Sequence, residues 1–255
     1  MPELVFMGTS DSKGVPRYYC TCKVCEQART TGQNRRTRSS LLIQGAQNTL
    51  IDAGPDFHAQ STREKLTEIH TLLVTHAHND HILGLGDLLD FVTYARGHLP
   101  MYAPSEVVPM VKSRFAYLDR LDWLKPLPGG LVLEGYQVQA FKVPHGANGF
   151  SYAYRFDSLN FAWVYCPDSI NISPKTEEEF MLGLDLLILG TSFWKEPYPM
   201  QTRSVYDVQE ALDLKSVQAA KKVILTHMSH DIDAEVAVLP EHVSLAFDGM
   251  RVWVP

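Results

Sequence analysis

Residues 74 to 81 read Val-Thr-His-Ala-His-Asn-Asp-His, and His76, His78, Asp80 and His81 put four metal-competent side chains into six positions. Apolar Leu72, Leu73 and Val74 lead into this stretch, and Ile82, Leu83, Gly84 and Leu85 lead out of it. An apolar run, an abrupt polar interruption and a return to apolar residues is the pattern of a buried strand, a sharp loop and a helix. Few folds accept that pattern, because the loop has to sit where a core strand ends. Imidazole nitrogens and carboxylate oxygens suit zinc and other first-row divalent ions. In an extended segment His76 and His78 lie two apart and project from one face. Asp80 and His81 then turn past the strand end, placed to grip a second ion. A solvated loop carrying histidines by accident would not be bounded on both sides by core-type residues.

The chain has room for such a core. Its 255 residues are 45% hydrophobic, enough for one large α/β domain or two small ones. There are 23 basic and 29 acidic residues, a formal charge of −6. That balance argues against a general nucleic-acid or anionic-membrane surface. Met1, Pro2, Glu3 and Leu4 open a strand at once, without the basic and apolar segments of a signal peptide. No apolar run approaches the roughly 20 residues a membrane span needs. The expectation is a soluble cytoplasmic protein. Of the four cysteines, Cys20, Cys22 and Cys25 sit together. In a chain without a leader such clustering favours metal binding over disulfides. Cys166 stands alone in an apolar run and reads as a buried free thiol.

Taken in order, Leu4 to Met7 reads as a strand. Gln33 to Arg38 is basic and polar, and a solvated loop is favoured there over a phosphate or RNA contact. Ser39–Gln44 and Thr49–Asp52 read as paired strands around a turn at residues 45–48. Asp52 is placed either to fix the geometry of the metal loop or to cap a turn. Helices are expected over Ser61–Ile69 and Leu83–Tyr94, and from a Ser105 cap to about Leu118. Strands are expected at Met101–Ala103, Leu131–Leu133, Gln137–Val143, Ser151–Phe156 and Asn160–Tyr165. A helix at Lys175–Leu182 and a strand at Asp185–Leu189 follow. Ser204 with Asp207 resembles a capping box opening a helix to about Ala219. Lys222–Leu225 is a strand, and Ser244–Phe247 with Arg251–Val254 reads as a closing hairpin around Asp248-Gly249.

One event recurs along this order. A strand runs apolar and stops on a metal-competent residue: His76 and its neighbours, then His145, Asp168 and His227. Layered α/β folds gather ligands at strand ends, where loops vary without disturbing the core. A lone histidine after a strand is usually a hydrogen-bonded turn residue, but four such termini with this dense run among them point to one centre.

These motifs resemble the metallo-β-lactamase superfamily. Asp52, His76, His78, Asp80, His81, His145, Asp168 and His227 stand in its order over almost the whole chain. The resemblance implies one α/β domain over residues 1–255, a four-layer αββα sandwich with two metals at one edge. One metal would take His76, His78, His145 and Asp168. The other would take Asp80, His81, Asp168 and His227, with the Asp168 carboxylate bridging.

Within the superfamily the chain resembles the PhnP-type phosphodiesterases, accessory proteins of the carbon–phosphorus lyase. Gly14-Val15-Pro16, the Cys20-x-Cys22-x-x-Cys25 cluster, Leu225 to His230 and Asp248-Gly249-Met250 carry that likeness. It implies that Cys20, Cys22, Cys25 and His230 bind a structural zinc in a loop at about 14–38, a closed tetrahedral set. It implies a metal-dependent hydrolase of small, including cyclic, phosphodiesters. Two catalytic ions, manganese or zinc, would acidify a water to hydroxide, and Asp80 would orient it. The PhnP-type proteins place a histidine shortly before the helix that precedes the last metal strand. Arg203 stands there in this chain. An arginine stays protonated and is a poor general acid, so its expected role is to clamp phosphate or stabilise the leaving oxyanion.

Three rivals share these residues. A tRNA 3′-end endonuclease of the same superfamily would need an RNA-binding surface, and only Arg35, Arg36 and Arg38 offer one. A thioester or lactone hydrolase could use the same metals on acyl carbon. A PqqB-like binding protein is suggested by Arg38-Ser39-Ser40 and by residues 55–60, but the full ligand set favours hydrolysis. The expected partner is a small phosphodiester, with neither nucleic acid nor membrane. Phe91, Tyr94 and Trp194 are candidates for a homodimer interface, or equally for core or pocket.

Overall fold

Alternation along the first strands sets the layers. In β1 (Glu3–Gly8) Leu4 and Phe6 belong to one core cluster and Val5 and Met7 to the other. β2 (Ser40–Gln44), β3 (Thr49–Ile51) and β4 (Thr71–Leu73) repeat the division. Leu41, Ile43, Ile51 and Leu73 lie on one side, and Leu42, Leu50 and Leu72 on the other. Successive strand side chains point to opposite faces, so this sheet is apolar on both and must be covered on both.

The computed structural model describes residues 1–95, 97–116 and 122–255. The first sheet has the order β14 (Arg251–Trp253), β1, β2, β3, β4, β5 (Met101–Ala103), β6 (Leu124–Pro126). The second runs β13 (Val243–Leu245), β12 (Lys222–Thr226), β11 (Leu186–Gly190), β10 (Ala162–Cys166), β9 (Phe150–Asp157), β8 (Tyr136–Pro144), β7 (Val132–Leu133). Leu4, Phe6, Leu41 and Ile43 share their cluster with Tyr136, Val138, Trp163 and Tyr165 of the second sheet. The opposite face of the first sheet packs on α2 (Phe57–Arg63), α4 (Leu85–Ala95) and α5 (Val107–Arg114) through Phe57, Leu88, Val92 and Val111. Val208 and Ala211 of α7 (Val208–Leu212) and Val217 of α8 (Lys215–Ala219) pack with the second sheet. Helix, sheet, sheet, helix is the αββα sandwich expected. Truncating a fully buried leucine such as Leu73 to alanine should cost about 2–5 kcal/mol.

Several boundaries differ from expectation for local reasons. The helix expected over Ser61–Ile69 starts earlier, at Phe57 after Pro55-Asp56, and ends at Arg63. Lys65 then takes a left-handed backbone (φ 54) that stops it. Asp207, not Ser204, is the cap of α7: its side chain accepts from the Glu210 N–H, and Glu210 reaches back to the Asp207 N–H. The closing hairpin does not form. β13 pairs with β12 in the second sheet and β14 with β1 in the first. The Asp248-Gly249 turn instead crosses between sheets, with the Asp248 carboxylate accepting from Thr9 and Thr37. The expected end of the Ser105 helix at Leu118 lies outside the described residues. Among the described residues no helix is long and apolar enough to cross a membrane.

Register then delivers the polar residues to one edge. β3 and β4 run parallel with Ile51 opposite Leu73, which brings Asp52 beside Thr75. β10, β11 and β12 are parallel, with Cys166 opposite Leu189 and Gly190 opposite Thr226. Their common exit places Asp168, Ser192 and His227 along one cleft.

Candidate metal centre and cleft

The loop after β4 is clasped from behind. The Ala53 N–H donates to the His81 carbonyl (2.8 Å) and the Gly84 N–H to the Ala53 carbonyl (2.9 Å). A Cβ on Gly54 would lie 2.1 Å from the Asp80 carbonyl, so only glycine allows this approach. α3 (Asn79–Ile82) holds Asp80 and His81 in one turn.

Asp52, fully buried and at φ 63, ties the loop together. Its carboxylate accepts from the Thr75 N–H (2.8 Å), the Thr75 hydroxyl (2.7 Å) and His81 Nδ1 (2.7 Å). Of the two roles left open from sequence, fixing the loop is the one its contacts serve. His145 is held likewise, its Nδ1–H donating to the Ser204 carbonyl at 2.7 Å. Nδ1 of His76 lies 3.0 Å from the Thr75 hydroxyl and 3.2 Å from that of Ser151. Such partners fix ring orientation and tautomer.

The remaining ring atoms converge. Donor atoms of His76, His78 and His145 lie within 4.8 Å of one another, as do those of Asp80, His81 and His227. Asp168 lies between the two sets. Its Oδ2 is 3.0 Å from His81 Nε2, and its Oδ1 is 3.2 Å from His227 Nε2 and 3.6 Å from His145 Nε2. His81 donates from Nδ1 to Asp52, which leaves its Nε2 directed at Asp168 Oδ2. Neither has a hydrogen-bond partner among the described residues, nor has either ring nitrogen of His227.

Electrostatics divide the rings into two groups. Burial lowers the pKa of His76, His78 and His145, which leaves neutral rings with lone pairs to offer. Burial acts against charge on His81 and His227 too, but the carboxylates of Asp80 and Asp168 outweigh it and raise both. The same pairing keeps Asp80 and Asp168 far below the usual carboxylate range despite burial. Imidazole nitrogens and ionised carboxylates aimed at common points form a donor set that fits two divalent cations.

A second set stands apart. Cys20, Cys22, Cys25 and His230 bring their donor atoms within 4.8 Å of one another, with His230 Nδ1 at 3.4 Å from Cys22 Sγ and 3.3 Å from Cys25 Sγ. Cys22 is exposed and Cys25 buried at the start of α1 (Lys23–Thr30). Burial pushes the Cys25 thiol up to about 11. Thiolates and an imidazole with no carboxylate among them suit zinc.

Arg203 is a correction. It is buried, and its guanidinium turns to carboxylates instead of the cleft. Nε donates to Glu196 (3.0 Å), Nη1 to Glu210 (2.8 Å), and Nη2 to Glu210 and Asp207. The cleft-lining residues of that stretch are Thr202, Ser204 and Val205, so no phosphate clamp stands there. The basic stretch at 33–38 is only in part a solvated loop: Gln33 and Arg35 are exposed, but others turn inward. Arg36 is buried and donates to the Ser229 and Ile232 carbonyls, and Arg38 pairs with Asp56. The cleft, ≈260 Å³, is lined instead by Lys13, Arg17, Asn148, Glu196 and Tyr198 beside the candidate ligands. Sequence reasoning missed these, because isolated polar residues in loops carry no periodic signal. Of the suggested interface residues, Tyr94 is exposed, while Phe91 and Trp194 pack partly against the core clusters.

Comparison with known proteins places this geometry. A solved PhnP-family protein, described as a new diphosphatase, superposes with a TM-score of 0.86 at 29% identity, covering 100% of this chain and 98% of that one. An octanoyltransferase of Porphyromonas gingivalis is 26% identical over 265 residues, 97% of this chain but 50% of that protein. A ribonuclease Z of Listeria monocytogenes is 30% identical over 165 residues, 59% of this chain and 48% of that protein. The chain thus spans about half the length of the curated relatives it matches. Residues 47–228, from the turn before β3 to the end of β12, match the family described as the beta-lactamase superfamily domain. That stretch contains all seven residues of the histidine–aspartate donor set, and the chain belongs to the beta-lactamase superfamily.

Proposed function

We propose that the protein is a metal-dependent phosphodiesterase acting on small phosphodiesters. The observation that carries this reading is the Asp168 carboxylate lying between two donor clusters, facing His81 with one oxygen and His145 and His227 with the other. Two divalent ions held there, by His76, His78, His145 and Asp168 on one side and Asp80, His81, Asp168 and His227 on the other, would acidify a water and neutralise phosphoryl charge. Manganese and zinc both suit such ligands. The residues supply the rest. Asp52, Thr75, Ser151 and the Ser204 carbonyl hold the rings in place. Asp80, ionised and at the cleft wall, accepts a hydrogen bond from the attacking water and aims it. The cleft volume admits a small ligand. In the second centre Cys20, Cys22, Cys25 and His230 would hold a zinc that ties the N-terminal loop to the segment after His227.

The solved diphosphatase, similar over its whole length, supports phosphorus as the centre attacked. The ribonuclease reading is not favoured, because of the three arginines that could offer an RNA surface only Arg35 is exposed, while Arg36 and Arg38 are engaged internally. The octanoyltransferase name belongs to a protein of which this chain matches half. The deciding experiment uses metal-stripped protein reloaded with manganese or zinc, offered bis(p-nitrophenyl) phosphate beside p-nitrophenyl acetate and a lactone. Metal-dependent cleavage of the phosphodiester with little acyl turnover is expected. Acyl turnover alone would replace this reading with a thioester or lactone hydrolase, and no turnover would favour a PqqB-like binding role.

A further inference from the structure

The phosphodiesterase reading lacks a proton donor for the leaving oxygen, and Arg203 does not reach the cleft. Glu196 does. It lies between β11 and α7, its side chain is 10% exposed, and it lines the same cleft as His78, Asp80, His145, Asp168 and His227. Behind it three carboxylates share one guanidinium, and they share it unequally. Asp207 accepts from the Glu196 N–H, the Glu210 N–H and Arg203 Nη2. Glu210 accepts from Nη1 and Nη2 of Arg203 and from the Asp207 N–H. Glu196 accepts from Arg203 Nε alone, through Oε2. Among the described residues its Oε1 accepts no hydrogen bond.

Three acids share this single cation, and Glu196 is the one whose charged form receives the fewest hydrogen bonds. We propose that Glu196 is the general acid that protonates the leaving oxygen, with Arg203 as its positioning residue. This rests on the phosphodiesterase reading. The water loses one proton to solvent as its oxygen bonds to phosphorus, the bond from phosphorus to the leaving oxygen breaks, and that oxygen takes its proton from Glu196 Oε1. The Glu196 carboxylate, held by Arg203, regains a proton from solvent. Burial raises the Glu196 pKa, and Asp207 and Glu210 raise it further against the lowering by Arg203. A raised carboxyl is what a general acid near neutral pH needs. The role also selects a substrate class. A phenolate leaves without help, whereas an alkoxide does not, so the role fits an alkyl phosphodiester and not an aryl one.

The test compares metal-loaded wild type with Glu196→Gln on bis(p-nitrophenyl) phosphate and on a 2′,3′-cyclic nucleotide. General acids contribute about 10²–10⁴-fold. Glu196→Gln should lower kcat on the cyclic nucleotide by roughly 10²-fold, and far less on the aryl diester. The high-pH fall of the wild-type alkyl profile should vanish in the variant. Infrared difference spectra near neutral pH should show a protonated carboxyl band in wild type that Glu196→Gln lacks. Glu196→Asp, which keeps the acid, should retain the high-pH fall and guards against a misfolded Gln variant. Equal losses on both substrates, or no band, would overturn the assignment. A wild type that cleaves neither diester would sink the phosphodiesterase reading and the leaving-group role with it, while the band would still report whether Glu196 holds a proton.

Discussion

The two donor sets of this protein are built in opposite ways. The histidine–aspartate set draws its ligands from four separate strand ends between His76 and His227, all but His78 buried. The cysteine set draws three ligands from six consecutive positions, joined only by His230, with Cys22 exposed. The first is held by the fold. Asp52 and His227 sit there at positive φ (63 and 58) without being glycine, a strain of about 1–3 kcal/mol each that only surrounding structure can sustain. The second has little around it beyond α1 and a loop, so the metal would organise the chain and not the reverse. Location follows the same logic. His227 and His230 are three residues apart, and the Met228 N–H donates to the Thr9 carbonyl while the Asp11 N–H donates to the Met228 carbonyl. The cysteine loop is thus stitched to the strand end that carries a ligand of the other set.

The largest effect should come from breaking the shared residue of the first set. Asp168→Ala removes the carboxylate that faces both halves, so hydrolysis should fall to the level of metal-stripped protein. Metal analysis should show both catalytic ions lost while the cysteine-bound zinc stays. Retained activity would mean that the bridging geometry is not the site. Next in size is Asp52→Asn. Asparagine tolerates positive φ, so the backbone should hold while the acceptor for His81 Nδ1 is lost. Loss of such an orienting partner costs about 10–100-fold in metal affinity or activity. An unchanged metal affinity would reduce Asp52 to a turn residue.

Cys22→Ala tests the opposite half of the comparison. Here stability should fall before chemistry does. A zinc present at about 1,000 times its Kd contributes about 4 kcal/mol, so a drop of that order in unfolding free energy is expected, with one zinc fewer per chain and the catalytic ions retained. A variant that keeps its zinc and its stability would show that the cysteine set does not organise the loop.

Sequence reading succeeded where chemistry is dense and failed where direction matters. The run from His76 to His81 was legible because ligand types crowd a strand end, whereas the αββα layers were implied by the resemblance alone; the all-apolar Leu4, Val5, Phe6 and Met7, which need two covered faces, fit them. Arg203 was misread because its position before α7 is local, while the carboxylates that claim it, Glu196 and Glu210, lie seven residues to either side and meet it only in the fold. The false hairpin has the same origin. Asp248-Gly249 is a strong turn signal, but each flanking strand is three residues long and completes the edge of a different sheet. Asp52 could be placed near the loop but not given a role until three donors were seen on its carboxylate.

The smallest effect separates three of the four thiols by rate. Thiolate character and access set cysteine reactivity. In folded, metal-stripped protein Cys20 should label ahead of Cys25, because the Cys22 N–H lowers its thiol and it is only half-buried. Cys25 should follow slowly, since burial pushes its thiol up to about 11. Cys166 should resist until the protein unfolds: it is fully buried beside Ser169 at the end of β10, and burial pushes its thiol up to about 12. Adding zinc should protect Cys20 and Cys25 and leave Cys166 as it was. Labelling of Cys166 alongside Cys20 in the folded state would show that the strand end carrying Asp168 opens as readily as the cysteine loop. The distinction between a centre held by the fold and a centre that holds it would then fail.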